Sequence, residues 1–229
     1  MAVALVTCLT RQDEVAARYE VTGVDVSHYQ GAIDWDALAA DGHEFAFIKA
    51  TEGRGFRDKA FFVNWTQAGR TGLRRGAYHF FRPEVSVAEQ ASNFFRTVDL
   101  RPGDLPPVLD VEDAGYLASA ELVRRVRQLA EALRTHYGVR PIIYTGQHFY
   151  NRYLAGQIDA YPLWLARYHN DEPVTVCGRP FDFWQYSDRG RLPGVTGRVD
   201  VNVFTGSYLE LVQLCVPPPP GARGHLAQQ

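Results

Sequence analysis

The run LDVED places two carboxylates, Asp110 and Glu112, two residues apart at the end of an apolar stretch. Side chains alternate across a β-strand, so residues i and i+2 share a face. Two carboxyls held that close resist a full double charge, and one keeps its proton toward neutral pH. A proton-holding acid beside an ionised partner is what hydrolysis of a glycosidic bond requires. By itself the triplet is weak evidence, because Glu112 and Asp113 read equally well as the start of a solvated loop.

Similar apolar runs recur along the chain, at 23–27, 45–51, 75–81, 105–112, 141–146, 162–168, 181–187 and 199–204. Runs of this kind bounded by Gly and Pro suit strands buried on both faces. Helical patterns fit between the early ones. Asp34 is placed to cap a short helix, 58–69 puts Phe61, Trp65 and Ala68 on one face, and Ser86 with Glu89 forms a capping box. The stretch 119–137 carries Leu122, Val126, Leu129 and Leu133 on one stripe and stops at Gly138, and 147–155 makes a shorter helix. After residue 160 the helical spacers shrink. Eight strands with helices between the first five or six predict an α/β, TIM-like barrel of the (β/α)5(β)3 type, with an open doubly wound sheet as the alternative.

Barrels of this kind gather polar strand ends at one mouth. Asp25, Lys49, Tyr78, His79, Tyr144, Arg167, Tyr168, Trp184, Gln185 and Asp200 all stand at or near such ends. Closure makes the first and last strands neighbours, so Asp25 and Asp200 are expected side by side, within reach of Asp110 and Glu112. Four acids also suit a metal, with His28 or His79. That reading is the weaker one, since no His pair has helical or hairpin ligand spacing, and no cofactor is expected. His79 reads first as a core histidine. Trp65 and Trp35 read as packing residues, whereas Trp164 and Trp184 suit either the core or a sugar platform.

Composition narrows the partners. A formal charge of −2 gives no footprint for nucleic acid, and no apolar run approaches the roughly 18 residues of a membrane span. Cys8, Cys177 and Cys215 show no metal spacing, and Cys177–Cys215 pairing is less expected than two unpaired thiols. Residues 1–20 read as a lead-in or vestigial leader without a complete secretory signal, 21–215 as the barrel, and 216–229, opening on a proline run, as a disordered tail.

Taken in order, GVDVSHYQG at 23–31, IDW at 33–35, FIKATEG at 47–53, GAYHFF at 76–81, LDVE at 109–112, IIYT at 142–145, LWLARY at 163–168, WQYS at 184–187 and VDVNVF at 199–204 resemble glycoside hydrolase family 25, the Chalaropsis-type lysozymes. The resemblance spans roughly residues 22–205. It implies a flattened eight-stranded barrel with about five helices. It also implies cleavage of the peptidoglycan glycan strand between N-acetylmuramic acid and N-acetylglucosamine, by a monomer acting in an extracellular or periplasmic setting. Carried over by motif, Glu112 is the proton donor, Asp110 orients the substrate acetamido group, and Asp25 and Asp200 are the other acids. Tyr78, Tyr144 and Gln185 line the cleft, with Trp184, Arg167 and Tyr168 as further candidates. Two routes stay open: attack by the acetamido oxygen assisted by Asp110, or water activated by an acid such as Asp200.

Overall fold

A computed structural model describes residues 11–219. The residues outside it include Cys8, half of the expected leader and most of the expected tail. Nine strands form one sheet: β1 (Val21–Val26), β2 (Phe45–Glu52), β3 (Phe56–Arg57), β4 (Arg74–Phe80), β5 (Val108–Asp110), β6 (Ile142–Gly146), β7 (Leu163–Ala166), β8 (Phe183–Gly190) and β9 (Val199–Phe204). Eight of them close a barrel in the order β1-β2-β4-β5-β6-β7-β8-β9, with β9 returning to β1. All neighbours up to β8 are parallel, whereas β9 runs antiparallel to both β8 and β1. The short β3 folds back on the end of β2.

Five helices fill the early crossovers: α2 (Trp35–Ala40), α3 (Phe61–Ala68), α4 (Val87–Phe95), α5 (Ser119–Tyr137) and α6 (Gln147–Phe149), the last running into a π-turn at Tyr150–Leu154. Their ends follow local chemistry. Asp34 Oδ1 accepts the Ala37 N–H at 3.0 Å, Ser86 Oγ accepts that of Glu89, and Gly138 ends α5 at φ 74°. The α5 stripe Leu122, Val126, Leu129 and Leu133 is buried as its spacing predicts.

Strand alternation divides the apolar residues into two clusters. Outward residues such as Val24, Ile48, Leu109, Ile143, Leu165 and Trp184 meet the helices. Inward residues, among them Phe45, Phe47, Val108, Ile142, Trp164 and Phe183, fill the barrel. Phe47 stacks on Trp164 with ring centroids 4.4 Å apart and meets Phe183 edge-on at 5.3 Å. Two inward positions are glycine for want of room. A Cβ on Gly23 would lie 2.5 Å from the Phe45 carbonyl oxygen, and one on Gly76 would lie 2.6 Å from the Phe47 ring.

Packed segments flank the strands at both ends of the barrel. Helix α1 (Arg11–Ala16) belongs to the fold, since Val15 is buried and Tyr19 packs edge-on against Trp184 at 6.3 Å. At the other end, α7 (Tyr208–Leu214) leads to Val216, whose backbone pairs with Asp104 and Gly103 at 2.8 and 2.9 Å. Those bonds tie Val216 to the loop that leads into β5. Cys177 is exposed, Cys215 is buried, and both are free thiols.

Candidate active site

The mouth holds a pocket of about 250 Å³ whose wall includes Asp25, Lys49, Tyr78, Asp110, Glu112, Tyr144, Trp164, Tyr168, Gln185 and Asp200. All four expected acids meet there. Asp25 and Asp200 are direct cross-strand neighbours. Asp200 opens its strand instead of closing it, and it reaches the mouth only because β9 runs antiparallel.

Asp25 is buried at the centre of a fixed network. Its Oδ2 accepts from Gln185 Nε2 at 2.7 Å and from Asn202 Nδ2 at 2.8 Å. Gln185 Oε1 in turn accepts the hydroxyls of Tyr144 (2.8 Å) and Tyr168 (3.0 Å), and Asn202 Oδ1 accepts the Trp164 indole N–H at 2.9 Å. These bonds leave each amide one orientation, with its nitrogen toward Asp25. Burial raises the Asp25 carboxyl to about 6 against the lowering effect of the two amides and of Asp200. Asp200 rises further, to about 8, through burial first and then the charge and hydrogen bond of Asp25. The two carboxyls therefore hold one proton between them at neutral pH.

Asp110 and Glu112 form the second pair. Asp110 is buried, and its Oδ1 has no hydrogen-bond partner among the described residues. Its pKa is raised well above the carboxylate range by burial and then by the charge of Glu112, while Lys49 opposes the rise. Glu112 sits at the rim, its surface open to solvent but its carboxyl walled by the pocket. Burial raises its pKa most and the Asp200 charge adds to that. The Tyr144 hydroxyl and Lys49 lower it. The repulsion expected from Asp110 thus falls chiefly on Asp110 itself. Lys49 Nζ bonds Glu52 at 2.8 Å and lies 5.1 Å from the Phe80 ring centroid.

Two expected cleft residues are elsewhere. Trp184 is fully buried on the outward face, and its indole donates to the Arg167 carbonyl at 2.9 Å. Arg167 turns from the pocket and donates to the Glu172 carbonyl at 2.6 Å. Adjacent residues on a strand face opposite sides, so Gln185 points in while Trp184 does not; Tyr168, just past the end of β7, keeps the inward parity of Trp164, and Arg167 does not. Trp164, with inward parity, is the indole beneath the pocket. His79 is a core residue between Thr51 Oγ1 (2.7 Å) and Gln90 Oε1 (3.1 Å), and burial lowers its pKa to about 4.

Sequence reasoning missed Asn202, although it stands two residues from Asp200 and so shares its face. It also left unassigned Tyr29 and Phe56, exposed at 81% and 45%, which come from a single 3-10 turn at His28–Gln30 and from the two-residue β3, both too short for a periodic signal.

The sequence and the fold recur in known proteins. Lysozyme M1 of Streptomyces globisporus is 36% identical over 210 residues, covering 85% of this chain and 71% of its own. The uncharacterized protein YegX of Escherichia coli K12 is 45% identical over 202 residues, covering 86% and 74%. The solved family 25 glycosyl hydrolase of Bacillus anthracis superposes with a TM-score of 0.81 at 38% identity, covering 86% of this chain and 94% of that one. Residues 24–195, from the strand that carries Asp25 through the Gln185 strand, match the family model itself, so the chain belongs to glycosyl hydrolases family 25.

Proposed function

We propose that this glycoside hydrolase is a lysozyme: a muramidase that hydrolyses the β-1,4 bond between N-acetylmuramic acid and N-acetylglucosamine in peptidoglycan, with Glu112 as proton donor. The observation that carries the reading is the pairing of a rim glutamate whose pKa is raised by burial with a buried Asp110 oxygen left unpartnered beside it. Glu112 protonates the departing glycosidic oxygen as the bond lengthens, and the acid cluster stabilises the positive charge that develops on the sugar. The free Asp110 oxygen is available to the substrate acetamido group. Of the two routes open to the acids, the unpartnered Asp110 oxygen favours the one in which the acetamido oxygen attacks with Asp110 assisting.

Tyr78, Tyr144, Tyr168 and Gln185 bind the glycan, with Trp164 beneath it. The substrate sets the compartment, an extracellular or periplasmic one. Among the described residues no helix is long and apolar enough to cross a membrane. The test is mass spectrometry of the products from purified peptidoglycan. Muramic acid at the new reducing ends is expected, and glucosamine there would reassign the bond.

A further inference from the structure

The rim of the pocket is chemically two-sided. On the β1–β2 side it is aromatic, with Tyr29 and Phe56 exposed and the Lys49 ammonium 5.5 Å from the Phe56 ring centroid. On the β7–β8 side stands Tyr168, 55% exposed, which walls the catalytic pocket and also a second groove of about 380 Å³. That groove is ionic and polar, with His169, Asn170, Asp188 and Arg189 in its wall. His169 pairs with Asp171 at 3.1 Å and Arg189 with Asp188 at 3.5 Å, and Arg189 is 70% exposed.

A glycan strand is a row of neutral pyranose rings whose C–H faces suit aromatic surfaces. It has no charge for mixed ion pairs to read. The other part of the muramidase substrate, the short peptide on the lactyl group of N-acetylmuramic acid, carries free carboxylates and amines, and so presents both signs of charge. We infer that the groove beyond Tyr168 is a subsite for this stem peptide, with Arg189 receiving a peptide carboxylate while the glycan occupies the acid pocket. Tyr168 is the partition, and its hydroxyl on Gln185 Oε1 ties the groove wall to the network around Asp25. The inference rests on the muramidase reading above.

The experiment uses soluble glycan strands from purified walls, either bearing stem peptides or stripped of them by an amidase, with each lactyl carboxylate that the amidase frees then converted to its neutral amide. Reducing-end release is measured for the full chain and for Arg189→Glu, a surface charge reversal outside the acid pocket. On peptide-bearing strands kcat/KM of the variant is expected to fall about fivefold, the upper range for one exposed charge contact, and added salt should shrink the difference. On stripped strands the two proteins should agree, with equal melting temperatures. An equal loss on both strand types, or none on either, overturns the subsite. Failure of the unmodified protein to release reducing ends from any strand would instead overturn the muramidase reading itself.

Discussion

The barrel interior has a floor and a mouth built from the same strand faces, one step of the alternation apart. Phe47 precedes Lys49 on β2, Val108 precedes Asp110 on β5, and Phe183 precedes Gln185 on β8. Two residues along a strand is about 7 Å. Over that distance the lining changes from stacked aromatics to four carboxylates. The difference teaches where the acidity of the site originates. Burial is the largest cause of the raised pKa at Asp25, Asp110, Glu112 and Asp200 alike, and the dry floor supplies part of that low-dielectric setting. The floor holds the fold together, while the mouth keeps acids protonated that free peptides would ionise.

If this division is right, damage to the two halves separates. Phe47→Ala removes the ring stacked on Trp164 and leaves a cavity over Gly76, and it should cost about 3–5 kcal/mol in denaturant unfolding. A cost below about 1 kcal/mol would show that the floor does not carry the stability assigned to it. Glu112→Gln keeps shape and removes the proton, so turnover should fall at least ~10²-fold, with unfolding nearly unchanged. Near-normal lysis by that variant would remove Glu112 from its role.

Much of this contrast is legible in the sequence, and one rule decides where it is not. Alternation pairs Asp110 with Glu112 correctly. Applied to Trp184–Gln185 and Arg167–Tyr168, it allows only one of each pair to face the mouth, and those neighbours cannot both be cleft residues. Strand direction is harder to read. Only eight residues separate Gly190 from Val199, too few for a parallel crossover of a dozen or more, and that shortness is the signal that β9 reverses and brings Asp200 to the mouth. The folding back of β3, which lifts Phe56 to the rim, is set by tertiary contact and leaves no periodic trace.

The mouth should also cost stability as pH rises. Free aspartate titrates near 4, whereas Asp25 and Asp200 titrate at about 6 and about 8 in the fold. The folded state therefore binds more protons, and the stability this contributes is complete below about pH 4 and lost as pH rises through those values. The melting temperature should decline between pH 5 and 9. Asp200→Asn, which removes the higher of the two titrations, should flatten that decline by a few degrees while reducing activity. An equally steep decline in the variant would place the pH sensitivity outside this pair.

The smallest effect concerns the single cation among the pocket acids. Lys49 lowers the pKa of both Asp110 and Glu112 and is held by Glu52, which Arg82 also binds at 2.9 Å. Lys49→Met keeps length and apolar contact with Phe80 and Phe56 but removes the charge, and it leaves Glu52 one cation fewer. Both changes favour the protonated form of Glu112. The basic limb of the pH–rate profile on soluble glycan, where the acid loses its proton, should move to higher pH. Asp110→Asn should move it less than Lys49→Met does, since burial and the Asp200 charge, and not Asp110, raise the pKa of Glu112. The limbs belong to the coupled cluster, so it is the order of the two shifts that tests the assignment. A basic limb that stays in place without Lys49 would mean that its charge is spent on Glu52 alone, and that the floor sets the acid unaided.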